Sequence, residues 1–262
     1  MLFERLVNGP VQPLIRLSQL RQDPSTDAQE TYITELEAMK DFTLKEPVLF
    51  TWFDKASTCW LFERIRAHHE LAETYVGLAK EQFTNKEHKA TMPLLKSAVT
   101  HQLAALNTAM KWTWKVDNLQ SMPELNPRYL LARTLRTKAF FYHNMYMFQA
   151  NLAAIQRAYQ LAEISGHMWK KMHDEAYNKK LLCLWCHMKA TEAEEFEDRI
   201  SYSTKAAEID DPMVQSDHAQ WLEQNDKVYF KTVKEVSPPP ALSVAEAIQF
   251  VLPKPQPDSK AT

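Results

Sequence analysis

An all-α chain of long helices packed side by side is predicted by three observations. The 262 residues contain three glycines, Gly9, Gly77 and Gly166, where about 7% is usual, so tight turns needing positive φ are few. Apolar residues recur at three-to-four spacing through long stretches without proline, which is the helical period. The breaks between these stretches are short and marked by Pro, Asn and Asp, the residues that cap helices and open turns.

The elements follow in order. DAQETYITELEAMKDF (27–42) sets Tyr32, Ile33, Leu36, Met39 and Lys40 at helical spacing, with acids early, and predicts an amphipathic helix. EPVLFTWFD (46–54) reads as an extended connector, with Asp54 capping the helix after it. From Lys55 to about Phe83 one broad stripe carries Trp60, Leu61, Ile65, His68, Leu71, Ala72, Tyr75 and Leu78. Thr91-Met92-Pro93 predicts the start of a further helix, whose stripe of Leu94, Leu95, Ala98, Leu103, Leu106 and Met110 runs to about Trp112.

MPELNP (122–127) is the next break, with Asn126 and Pro127 as cap and first turn. An aromatic-rich helix then runs from Tyr129 toward Ser165-Gly166. His167 to Met188 and Ala190 to Ile209 predict two more, Asp210-Asp211-Pro212 a break, and Met213 to about Gln224 a short helix. KVYFKTV, SPPPALS and LPKPQPDSKAT (227–262 in part) predict an extended, Pro-rich end. The expected organisation is an N-terminal segment 1–26, one elongated helical domain 27–236 and a tail 237–262. No repeat of 33 to 45 residues is visible, so regular TPR or HEAT arrays are not indicated.

Few strings carry chemistry. Cys183-Leu184-Trp185-Cys186-His187 matches the spacing of covalent haem attachment, and its Cys-x-x-Cys that of thiol redox sites. Its neighbours make a helical stripe of Leu181, Leu184, Trp185 and Met188, so buried thiols acting as small hydrophobes are the preferred reading. His69 and Glu73 stand one turn apart behind His68 and could supply two metal ligands, but H-E-x-x-H is absent and solvated or core histidine is preferred. Glu194-Glu195 falls on a charged face, and no glycine-rich phosphate cradle exists. Trp112-Thr113-Trp114-Lys115 could stack bases, although packing is the commoner use of such a pair. No enzymatic activity, cofactor, metal or nucleic-acid partner is expected.

The formal net charge is −2. Nine basic residues face three acidic ones between Lys86 and Lys138, and six face twelve between Lys189 and Glu235. Such asymmetry belongs either to a surface meeting anionic lipid, nucleic acid or an acidic partner, or to solvated helix faces. Three cysteines form no disulfide framework, no apolar run reaches the ~18 residues of a membrane span, and Pro10 and Pro13 interrupt the first segment; a reducing cytoplasmic setting is expected.

The order of the breaks resembles the BRO domain, the helical module of the Alix-type proteins that work with the ESCRT machinery. The likeness rests on SQLRQD (18–23), VLFTWFDKAS (48–57), MPELNPRYLLARTL (122–135), EEFEDRISYSTKAAE (194–208), EQNDKVYFKTV (223–233) and FVLPKP (250–255). The chain departs from the pattern in its shorter length, in Leu135-Arg136-Thr137-Lys138-Ala139 on the central helix and in Val233-Lys234 after the Tyr string. The resemblance implies an elongated helical solenoid of long antiparallel helices, and a non-catalytic adaptor whose central helix accepts an amphipathic helix of an ESCRT-III-type subunit, near endosomal membrane. By that resemblance the docking residues are Tyr129, Leu131, Ala132 and Leu135. The basic residues set to meet an anionic surface are Lys111, Lys115, Arg128, Arg133, Arg136 and Lys138. The competing expectation is a BRO-like structural subunit of a large cytoskeletal, axonemal or mitochondrial assembly.

Overall fold

The structure, a computed structural model, describes residues 19–20, 22–45, 50–110, 123–224 and 236–251, with side chains described for these except 39–45, 50–60, 123 and 196. The described residues are all-helical, with nine α-helices, two short 3-10 turns and no strand. They are α1 (Thr26–Lys45), α2 (Phe50–Thr84), α3 (His88–Met110), α4 (Pro127–Gln149), α5 (Leu152–Met168), α6 (Glu175–Glu192), α7 (Phe196–Ala207), α8 (Pro212–Gln224) and α9 (Val244–Gln249). No described helix is long and apolar enough to cross a membrane. Contacts group the chain into two compact units, Met1–Leu78 with Ser97–Leu130, and Ala79–Lys96 with Leu131–Thr262.

The first unit is built on the α1 stripe. Tyr32, Ile33 and Leu36 are buried with Ala67 and Leu71 of α2, and Leu20 and Tyr75 pack against this group. Polar groups at its edge are tied across the helices: the Tyr32 hydroxyl donates to Glu63 at 2.9 Å, Arg64 bonds both Glu37 and Thr108, and Tyr75 bonds Glu30. A buried stem with a satisfied polar tip is how long helices bury Tyr and Arg without stranding a donor. On α3, Ala98, Val99, Ala105, Leu106 and Ala109 are buried, whereas Met110, expected on the stripe, is 58% exposed.

Two helix starts differ from expectation. α2 opens at Phe50, so the expected connector is helical from there and Asp54 lies within the helix; residues 46–49 fall outside the described residues. α3 opens at His88, after a turn in which Lys86 takes a φ of 63°. Pro93 is therefore inside the helix, where its missing N–H removes only a bond to the carbonyl of exposed Lys89. The start of α4 is as expected: Asn126 accepts from the backbone of Arg128 at 2.9 Å, with Pro127 in the first turn.

The second unit carries the site described below. The long helix expected from Tyr129 to Gly166 is two, broken at Ala150, which takes a φ of 48°, and restarted by Asn151. The Asn151 side chain accepts from the backbone N–H of Ala153 at 2.8 Å and Ala154 at 3.3 Å. Asn151→Ala should therefore cost about 1 kcal/mol in chemical denaturation, with little effect from Asn151→Asp. Gly166 lies inside the last turn of α5 instead of ending it with a left-handed residue. A Cβ there would meet the His173 backbone at 3.1 Å, so glycine lets the following 3-10 turn (Lys170–Met172) fold back closely.

Fully enclosed residues recur at helical spacing on α4 (Ala132, Leu135, Ala139), α5 (Ile155, Ala158, Leu161, Ala162) and α6 (Leu181, Cys186, Ala190). α6 packs against α5 and α7, α8 against α6 and α7, and α9 against α5. Asp174 caps α6, and Asp211 caps α8 by accepting from Met213 at 3.0 Å and Val214 at 3.2 Å. The charged helix expected over 190–209 forms only over α7, with Ala193 and Glu195 at the junction.

The C-terminal segment is not extended throughout. Residues 236–243 have no regular structure, but Ser243 and Glu246 form a reciprocal capping box that starts α9. The Gln160 side chain donates to the Pro240 carbonyl at 2.8 Å, and the Arg157 guanidinium lies 3.8 Å from the Phe250 ring centroid, so the segment is fastened along α5. KVYFKTV and the end beyond Val251 lie outside the described residues.

Candidate functional site

Helix α6 turns once every 3.6 residues, which brings Cys183 and His187 to the same face. Asp211 and Pro212 then set the start of α8 so that His218 faces that pair. The Cys183 sulfur lies 3.3 Å from His187 Nε2, and His187 Nε2 lies 2.9 Å from His218 Nδ1. All three ligand atoms fall within 4.8 Å of one another, and all three residues are buried. The Trp221 ring, one turn after His218, lies nearly parallel to His187 at 4.5 Å. Trp185 is buried on the same helix and stands edge-on to Tyr202 of α7 at 5.6 Å.

The surroundings hold this group neutral. Burial pushes the Cys183 thiol up to about 12, with Asp217 adding to the shift and Lys180 opposing it. Burial, and then His218, push His187 down to about 3, and burial lowers His218. Cys186 is likewise pushed up to about 12, by burial and then by Cys183. Both cysteines are free thiols. Burial of Cys186 accords with reading the Cys-x-x-Cys as packing; Cys183 combines burial with two imidazole neighbours.

The docking residues expected on the central helix are placed differently. Ala132 and Leu135 have no exposed surface, and the Ala132 carbonyl accepts from the buried Ser165 hydroxyl at 2.7 Å. These two are core residues of the second unit and offer a partner nothing. Leu131 is half-buried in that unit. Tyr129, in the first unit, is half-buried and edge-on to His69 at 5.7 Å. An apolar helix face that sequence presents as a docking surface is here largely the inside of the bundle.

The basic residues also separate. Arg136 donates to Asp174 at 2.7 Å and to Asn178 at 3.3 Å while lying over the Tyr177 ring, so its charge is spent joining α4 to α6 instead of facing an anionic surface. Lys138 is half-buried, with its ammonium 5.6 Å from the Phe141 ring. Arg133 is half-buried and Arg128 exposed. Lys111 and Lys115 lie outside the described residues. His69, the other histidine expected as a possible ligand, stands edge-on to the Tyr129 ring, while its neighbour His68 faces His101, the two Nδ1 atoms 2.9 Å apart.

In the sequence the Cys183–His187 pair is contained in the haem-like and Cys-x-x-Cys strings and is not marked as a ligand pair of its own. The four-residue spacing was itself the available signal. His218, 31 residues further on, has no local signal, since only the α7 turn-back brings it to α6. Among protein-family models, curated proteins and solved structures, none matches this chain.

Proposed function

We propose that the chain is a non-catalytic helical adaptor that binds an amphipathic helix of an ESCRT-III-type partner in endosomal sorting or membrane remodelling. The family is taken from the BRO-domain resemblance, and the exposed end of α4 supports a docking role. There Met147 and Phe148, on adjacent positions, are 45% and 54% exposed. Single exposed apolar residues are ordinary, but two large ones together where a helix end normally turns polar make a small adaptable anchor site. The proposed docking position is thus the C-terminal turn of α4 and not its first turns. The protein would act in the cytoplasm, at or near endosomal membrane.

Tail peptides of ESCRT-III-type subunits should bind with micromolar affinity. The Met147→Asp/Phe148→Asp double variant should lose that binding while its unfolding curve stays within about 0.5 kcal/mol of the original. Flat titrations against the unaltered protein would sink the reading.

A second reading is favoured by the spread of exposed apolar residues beyond α4. Met213 on α8 is 76% exposed and Val244 on α9 is 46% exposed. A structural subunit of a cytoskeletal, axonemal or mitochondrial assembly would use several such points, and native-mass analysis from cell lysate separates the two, a monomer favouring the adaptor.

A further inference from the structure

Inside the second unit, His187 Nε2 has one bond to make and two neighbours to make it with. If it carries a proton, it can donate well to His218 Nδ1 or to the Cys183 sulfur, but not to both. If it does not, it can accept from only one of them. Whichever bond forms, the other neighbour loses its own to His187 Nε2, and a buried polar group left without any partner costs about 1–3 kcal/mol where water is excluded. His218 adds a second deficit, since its Nε2 is buried with no hydrogen-bond partner among the described residues.

One cation placed among the three ligand atoms removes the conflict at the centre, because each then points a lone pair at positive charge. The geometry is close to what such an ion needs. Zinc bonds of about 2.0 Å to nitrogen and about 2.3 Å to sulfur, at tetrahedral angles, put two nitrogens about 3.3 Å apart and a nitrogen and a sulfur about 3.5 Å apart. The separations are 2.9 Å for His187 Nε2 to His218 Nδ1 and 3.3 Å for Cys183 Sγ to His187 Nε2. These two edges need to open by a few tenths of an ångström, and the third, Cys183 Sγ to His218 Nδ1, which falls within 4.8 Å, has to settle near 3.5 Å as α8 adjusts against α6.

The donors also select the metal. One sulfur and two imidazole nitrogens, buried and without a carboxylate in the set, suit a borderline-soft ion and not magnesium or calcium. We propose that Cys183, His187 and His218 form a Zn2+ site that fastens α8 to α6, with the fourth position taken by a water molecule or a small ligand. On binding, the ion takes the place of the Cys183 thiol proton, which leaves to solvent, and sulfur and metal join without change of oxidation state. Trp221, stacked on His187, holds that ring in the plane the site requires. The role is structural: the ion pins two helices that the sequence separates by the whole of α7.

The test uses the full chain, reduced, titrated with Co2+ without oxygen. The expected result is uptake of one equivalent, with the strong visible bands of four-coordinate cobalt and a near-ultraviolet sulfur-to-cobalt band, all abolished by added Zn2+. Zn2+ should raise the melting temperature of the unaltered protein. Cys183→Ser should lose the sulfur-to-cobalt band, His218→Gln should weaken uptake by at least about 100-fold, and Cys186→Ala should keep both. Failure of the unaltered protein to take up an equivalent of Co2+ overturns the proposal, and this result stands even if a variant does not fold. So does a sulfur-to-cobalt band that survives Cys183→Ser, or uptake of Cu+ but of neither Zn2+ nor Co2+.

Discussion

Leu135→Ala is expected to destabilise the protein by about 2–5 kcal/mol, as removal of a fully buried leucine does when the surrounding structure collapses only partly into the cavity. Leu135 has no exposed surface, and Ala132 and Ala139, one turn to either side on α4, have none either. Small neighbours limit how far the site can refill, which places the cost in the upper part of the range. Phe148→Ala, on the same helix and 54% exposed, should change stability by no more than about 0.5 kcal/mol. Urea unfolding of the pair separates packing from docking. If Leu135 were a surface anchor for a partner helix, its truncation would leave the unfolding midpoint alone and weaken only binding. An unchanged midpoint for Leu135→Ala would remove the present account of α4.

How much of this was legible in the sequence depends on the kind of signal. Breaks written in capping chemistry were legible: Asn126-Pro127 and Asp211-Pro212 begin α4 and α8 as expected, because a side-chain acceptor must meet the free N–H groups of a first turn and few residues can do so. The Ala150-Asn151 break was not, although Asn151 caps α5 with the same chemistry. Its αL residue is an alanine, no glycine or proline marks it, and the aromatic stripe of α4 reads on into α5 without a change of period. The opposite error occurred at Phe50–Asp54, where a β-prone run of aromatics is helical because the helix it joins outweighs local preference.

Faces were harder than elements. Leu131, Ala132 and Leu135 repeat at helical spacing, and that pattern is the same whether the stripe meets the protein's own core or a partner. Only burial distinguishes the cases, and burial depends on where α5 lies. Arg136 resembles surface charge in the sequence because nothing local shows that Asp174, 38 residues on, and the Tyr177 ring enclose it. The Cys183 cluster combines both situations, with half of it written as a one-turn spacing on α6 and half supplied by the return of the chain through α7.

Acid should weaken both units before any carboxylate titrates. His68 in the first unit is pushed down to about 3 by burial, then by the charges of His101 and Arg64, with Glu37 4.0 Å away on the other side. His143 in the second unit is pushed down to about 3 by burial, then by Lys180 and His88, while its Nδ1 stands 3.2 Å from the Tyr177 hydroxyl. Both are neutral when folded and take up a proton near the ordinary value of about 6.5 when unfolded. The unfolded chain therefore binds more protons between pH 6.5 and 3, so the stability is fully present above 6.5 and is lost as the pH falls through that window. At pH 5.5 each of these two histidines accounts for about 1.4 kcal/mol, and His187, likewise pushed down to about 3, adds as much in the metal-free protein, roughly 4 kcal/mol in all if both units unfold together. Urea midpoints of the metal-free protein taken from pH 7.5 to 5 should fall along this curve, and His143→Gln should remove about a third of the dependence. A midpoint flat down to pH 5 would mean that these rings are hydrated in solution and that the bundle around them is looser than the packing described.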